Sequence, residues 1–157
     1  MRALTDNDSP THRKLLQDIE DNGVHIVHVP ADDDGPAFTF TVGLWHSFEQ
    51  PEVIVFGLQQ EVAADLLNAL ADEAAEGKTF LADSRHEGLL VGYPLRFLEV
   101  PKDQYAGHFG MALWAYEGDD FPGVQMVWPD KQGRWPWEPG LREGFAQSQP
   151  VIGRKSS

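Results

Sequence analysis

The chain has 157 residues, 41% of them hydrophobic, which suits one domain with one core and argues against long-range disorder. Twelve basic residues face 25 acidic ones, for a formal net charge of −13; such a surface repels phosphate backbones and anionic lipid, so nucleic-acid and membrane partners are not expected. The absence of cysteine excludes disulfides, thiolate metal sites and a cysteine nucleophile, and it fits a reducing cytoplasm.

The opening MRALTDNDSP is polar and lacks the apolar segment of a secretory signal. No stretch approaches the ~18 consecutive apolar residues of a membrane span. A cytoplasmic location is therefore the expectation. Residues 1–9 read as a flexible lead-in, 10–150 as a single domain and 151–157 as a flexible tail.

Ser9-Pro10 marks a helix start, with Ser9 as the N-cap, and Gly23 a stop, so a helix is expected over 10–22 with Leu15, Leu16 and Ile19 on one side. VHIVHV at 24–29 reads as a strand whose alternation puts His25 and His28 on opposite faces. ADDDGP at 31–36 is an acidic turn without the ligand spacing of a calcium loop. AFTFTVGL at 37–44 alternates, with Phe38, Phe40 and Val42 on one face and Thr39 and Thr41 on the other. EVIVFGL at 52–58 reads as a central strand buried on both sides. Between them lies a loop of about eight residues, longer than a tight hairpin needs.

Residues 60–76 carry the clearest helical pattern, with Val62, Leu66, Leu70 and Ala74 every four and Gly77 after them. One or two strands are expected over 89–100, limited by Pro94. Residues 102–118 have Tyr105, Phe109, Leu113 and Tyr116 at helical spacing, Asp103 as a cap and Gly107 and Gly110 as weak points. GVQMVW at 123–128 is a strand, and 129–140 is turn-rich. The order predicts an α+β fold: a mainly antiparallel sheet of about five or six strands with about three packed helices.

Three places carry candidate chemistry. In the loop after 44, Trp45 and Phe48 offer flat apolar faces, His46 an imidazole and Glu52 a carboxylate. His46 and Glu52 are the candidate catalytic pair for acid–base work; the plain alternative has the aromatic rings filling the core edge and His46 making one hydrogen bond. The second place is Trp128, Trp135 and Trp137 in a Pro/Gly-rich segment, either a lid over the core or a ligand-facing wall. Asp130 and Arg134 there are placed to pair with each other. The third is His108 among Tyr105, Phe109 and Trp114, and Arg85-His86 lies in a polar loop. No nucleophile elbow, phosphate loop, zinc-protease helix or dinucleotide fingerprint is present. Convergence of His46, His86 and His108 with Glu52 on a metal has no support from spacing.

Three segments, FTFTVGLWHSFEQPEVIVFGLQQEVAADLLNALA, FPGVQMVWPD and GRWPWEPG, together resemble the bacterial family known as domain of unknown function 4262. The positions that carry the likeness include Thr41, Gly43, Leu44, His46, Pro51, Glu52, Gly57, Leu58, Leu66, Leu67, Asn68, Gln125, Trp128, Pro129, Asp130, Pro136 and Trp137, and it spans roughly 10–140. Family members often have a His before the Pro-Glu pair where this chain has Gln50. The family's name implies no established activity, and the resemblance leaves the cofactor unknown.

The leading expectation is a small-molecule or partner-binding module. Its pocket would be lined by Trp45, His46, Trp128, Trp135 and Trp137, with Glu52, Gln125 and Asp130 as polar anchors. This requires the loop around His46 and the Trp-rich segment to face one cleft. The alternative is an enzyme, using His46 and Glu52 or holding a flavin between two protomers in the manner of a split-barrel reductase, an architectural analogy only. The sequence specifies neither the ligand nor a cofactor, and it is compatible with a homodimer.

Overall fold

The computed structural model describes all residues except 4, 6, 7, 34, 80–84, 91, 92 and 155–157, and for 85–90 the backbone alone. The first helix, α1 (Pro10–Asn22), begins where the sequence marks it. The Ser9 hydroxyl accepts from the His12 N–H at 3.2 Å, and Gly23 closes the helix in the left-handed region at φ 86°. There follow β1 (His25–Val29), β2 (Phe38–Val42), a short α2 (Leu44–Phe48), β3 (Glu52–Phe56), α3 (Gln60–Ala75), β4 (Arg85–Leu90) and β5 (Tyr93–Glu99). After a 3-10 turn (Lys102–Gln104) come α4 (Tyr105–His108), α5 (Gly110–Tyr116), β6 (Gly123–Val127) and α6 (Phe145–Ser148).

The strands form one α+β sheet in the order β1-β2-β3-β6-β5-β4. Every pairing is antiparallel except β3 with β6, which is parallel with Glu52 opposite Gly123 and Ile54 opposite Gln125. β1 and β4 are the sheet edges, so the sheet is open. The helices exceed the three expected for two reasons. The segment 102–118 breaks at Phe109 (φ −111°, ψ 36°), just before Gly110; α2 arises inside a segment that reads as a loop, and α6 where the sequence marks no element. Asp103 sits within the 3-10 turn, and α4 has no side-chain cap.

β3 is buried along its whole length, as its continuous apolar sequence predicts. On one face Val53 and Val55, with Leu95, Phe97, Val124 and Met126, pack under Ala63, Leu66, Leu67, Leu70, Ala71 and Ala74 of α3. On the other, Phe40, Val42, Ile54 and Phe56 meet Leu15, Leu16 and Ile19 of α1 and Phe109, Ala112 and Ala115. Burying a side chain of this size stabilises by ~1.5–3 kcal/mol relative to leaving it in water. The Thr face of β2 is also buried, and its hydroxyls are used: Thr39 pairs with His28 Nδ1 at 2.8 Å, and Thr41 bonds Glu52 and the Val53 N–H. His25 lies on the opposite face from His28, 2.7 Å from Asp18 of α1.

The segment after 150 makes hydrogen bonds as far as Arg154: Gln125 Oε1 accepts from the Ile152 and Gly153 N–H groups, and the Arg154 N–H donates to Glu99 O at 2.7 Å. One expectation is corrected here. Arg85 and His86, expected in a loop, open β4; their side chains lie outside the described residues. At the other end of the chain Arg2 N–H donates to Ala115 O, and the Arg2 guanidinium lies over Trp114, so part of the lead-in is packed too.

Candidate functional site

The loop between β2 and β3 is organised by Glu52. This carboxylate is fully buried. Oε1 accepts from Thr41 Oγ1 at 2.8 Å and from the Leu44 N–H at 3.1 Å. Oε2 accepts from the N–H groups of Gly43 and Trp45, both at 3.1 Å, and from the Tyr116 hydroxyl. Three of these donors are the otherwise unpaired N–H groups at the start of α2, where a negative charge is favourable. Burial pushes the Glu52 carboxyl up from its ordinary range, while Tyr116, Trp45, Thr41 and Gly43 pull it down. The Tyr116 hydroxyl is pushed up as well, by burial and then by the neighbouring Glu52 charge. Gly43 permits the geometry: its φ is 116°, and a Cβ there would stand 2.7 Å from Gly23 O.

This knot takes Glu52 out of reach of a substrate. His46 joins it through its backbone, whose N–H donates to Tyr116 Oη at 3.2 Å. Its imidazole is exposed, and no hydrogen bond or ion pair links it to Glu52. The acid–base pair expected from sequence is therefore not assembled; Glu52 shapes the loop. The loop's outward residues split between two clefts. His46 lies in one of about 760 Å³ beside α1 and the N-terminal residues, with Gln17, Asn22 and Phe48. Trp45, 38% exposed, lies in another of about 570 Å³ with Glu49, Glu99, Lys102 and Asp120.

The Trp-rich segment is built differently. Trp135 and Trp137 stack on each other at 5.8 Å with Arg96 over both rings, and they cover Leu98 and Val127. They form a lid on the sheet. Gln125 is fully buried and binds 150–153, with Nε2 donating to Pro150 O at 2.8 Å. His108 rests edge-on against Phe38 and Phe56, with Nδ1 2.9 Å from Gln104 O.

Trp128 and Asp130 reach a third cleft, of about 570 Å³, at the ends of β3 and β6. Trp128 Nε1 donates to Phe56 O at 2.8 Å, and its ring meets Phe145 edge to face at 5.0 Å. Gln149 clamps the Trp128 backbone, accepting from its N–H and donating to its carbonyl, each at 2.9 Å. Asp130 accepts from the Gln132 and Arg134 N–H groups and from Arg134 Nε. Desolvation raises its pKa, but the Arg134 and Gln132 bonds outweigh it and hold the carboxyl below its usual range. Gly57, at φ 81°, forms the floor where β3 ends; a Cβ there would meet Ser148 O at 2.5 Å and Trp128 Cζ2 at 3.3 Å.

The single cleft expected to join Trp45 and His46 to Trp128, Trp135 and Trp137 is not formed. The His46 loop precedes β3, Trp128 follows β6, and the two strands are parallel, so the groups lie at opposite ends of the sheet centre. At ~3.3 Å per residue, a five-residue strand separates them by roughly 16 Å.

The sequence model of a family described as a domain of unknown function (DUF4262) matches residues 18–142, most of the chain. The chain belongs to the DUF4262 family. Curated proteins and solved structures each give no match. The DUF4262 match covers the Glu52 knot and Trp128-Pro129-Asp130, and ends before Phe145, Ser148 and Gln149. Several residues that build these places were not singled out from sequence. Tyr116 read as a helix-face aromatic; Lys131 follows Trp128 closely but carries no motif, and only the fold brings Arg142, Phe145 and Ser148 to Trp128. Among the described residues no group of three or more His, Asp or Glu is arranged to hold a metal. No described helix is long and apolar enough to cross a membrane.

Proposed function

We propose that this DUF4262 protein is a small-molecule-binding module, and that its ligand sits in the cleft at the ends of β3 and β6. The observation that carries the reading is convergence. Gly57-Leu58 and Trp128-Pro129-Asp130, some seventy positions apart, line one cavity of about 570 Å³ with Tyr93, Phe145 and Ser148. That volume falls in the range that holds drug-sized ligands, and an apolar floor with a few fixed polar groups is the usual composition of such sites. The walls are rigid. Trp128 is held at its indole N–H and at both backbone groups, and Asp130 is locked by three hydrogen bonds. Preformed walls lower the ordering cost of binding.

Acid–base catalysis by His46 and Glu52 has less support, because the carboxylate is enclosed by five donors. The split-barrel flavin analogy has less support too, because the sheet is open. The reading includes a bacterial cytoplasm as the setting, on the strength of the family likeness and the cysteine-free sequence.

A thermal-shift screen over small organic acids, amines and neutral aromatics tests the proposal, since any ligand that binds only the folded state raises the melting temperature. Hits should lose their effect in Ser148→Trp, which places a large ring at the cleft wall. A screen without hits, or hits indifferent to that substitution, would overturn the proposal.

A further inference from the structure

We infer that the ligand of the Trp128 cleft is an organic anion: a flat apolar body carrying a carboxylate, sulfonate or phosphate. The inference rests on the binding role proposed above and adds the ligand's charge.

It starts from scarcity. In a chain of net charge −13, cations are few, and most of the described ones are committed. Arg2 lies over Trp114 beside Glu117, Lys14 pairs with Asp18 and Lys78 with Glu73. Arg96 lies over Trp135 and Trp137, and Arg134 pairs with Asp130. Lys102 is spent on the carbonyls of Asp119 and Phe121. Among the described residues, the lysine and arginine side chains with no hydrogen bond, ion pair or ring contact are Lys131, Arg142 and Arg154. Two of these three, Lys131 and Arg142, line the same cavity.

Their charge is not cancelled by the walls. Among the described residues, the one carboxylate lining that cavity is Asp130, whose oxygens already take three hydrogen bonds, two of them from Arg134. The Trp45 cleft at the other end of the sheet has the opposite balance. It is lined by Glu49, Glu99 and Asp120, and its lysine is the one already spent on backbone carbonyls. An anion approaching this acidic protein therefore finds, in the walls of the Trp128 cavity, two cations that no other described group engages. Arg142 adds a planar fork that matches carboxylate and phosphate geometry. Leu58, Phe145 and the Trp128 ring supply the surface for an aromatic body.

The test uses two dyes with the same aromatic skeleton, anionic 8-anilinonaphthalene-1-sulfonate and neutral N-phenyl-1-naphthylamine. Each is titrated against wild type, the double variant Lys131→Gln/Arg142→Gln and Ser148→Trp. Both substituted cations are exposed and unpartnered, so the double variant should fold as wild type does. The inference predicts that the double variant weakens the sulfonate dye by about tenfold, with a smaller salt dependence than wild type, and changes the neutral dye less than about twofold. If both dyes bind and both are displaced by Ser148→Trp, but the double variant leaves their affinities alike, the charge assignment is overturned while the binding role stands. If neither dye responds to Ser148→Trp, the binding role and this inference fall together.

Discussion

Replacing Glu52 by alanine should destabilise the protein far more than it alters any surface property. The substitution removes the only acceptor shared by the N–H groups of Gly43, Leu44 and Trp45, and by the hydroxyls of Thr41 and Tyr116. The hydroxyls can turn elsewhere; Tyr116 still accepts from the His46 N–H. The three backbone donors are fixed. Leaving a buried donor unpaired costs about 1–3 kcal/mol, so three cost about 3 kcal/mol even at the low end. In a chain of this length that lowers the melting temperature by roughly 6–12 °C. Glu52→Gln keeps one acceptor oxygen and no buried charge, so it should lose clearly less. Urea denaturation of the three proteins, followed by tryptophan fluorescence and checked by circular dichroism, gives the differences. A loss below about 1 kcal/mol for the alanine variant would refute the reasoning, because the knot would then not be what holds α2.

Three further outcomes follow from the same structure. Burial raises the folded-state pKa of Glu52 above 4.5, so the folded form takes up the proton first; as pH falls from neutral through that raised value, wild type should gain stability relative to Glu52→Gln, the gain levelling off below about 4.5, and parallel stability–pH curves would contradict this. Gly57→Ala combines a left-handed φ with a Cβ 2.5 Å from Ser148 O, so it should cost about 2–3 kcal/mol in urea denaturation and shift the Trp128 indole resonance; a neutral effect on both would show that β3 and α6 do not meet as described. Gln125→Ala leaves the Ile152 and Gly153 N–H groups without an acceptor, so hydrogen exchange at 152–154 should speed up markedly with a stability loss of about 1–3 kcal/mol; unchanged exchange would mean that the terminal segment is held by something else.

The regular elements were legible because their signals are local. Ser9-Pro10 and Gly23 bound α1, four-residue apolar spacing marks α3, and an unbroken apolar run marks β3 as central. α2 was not legible, because its cause is not in its own sequence. Five residues make a poor helix alone; this one exists because a carboxylate from the next strand caps it and Glu49 closes it in the left-handed region. The shared cleft failed on one pairing. Had β3 and β6 run antiparallel, the loop before β3 and the segment after β6 would lie side by side. They are parallel, which sends Trp45 and His46 to one end and Trp128 to the other. Sequence also named Asp130 and Arg134 as a pair, and they are one, at 3.0 Å. It could not name Lys131 and Arg142, because their significance lies in how most of the other described cations are engaged.

The most direct test of the account is a two-dimensional amide and indole NMR map of the protein titrated with 8-anilinonaphthalene-1-sulfonate. A ligand in the cleft described here moves the Trp128 indole N–H and the amides of Gly57, Lys131 and Ser148, and leaves Trp45 and His46 in place. Shifts centred on Trp45 or His46, with Trp128 and Gly57 unmoved, would put the binding site at the other end of the sheet and contradict the account.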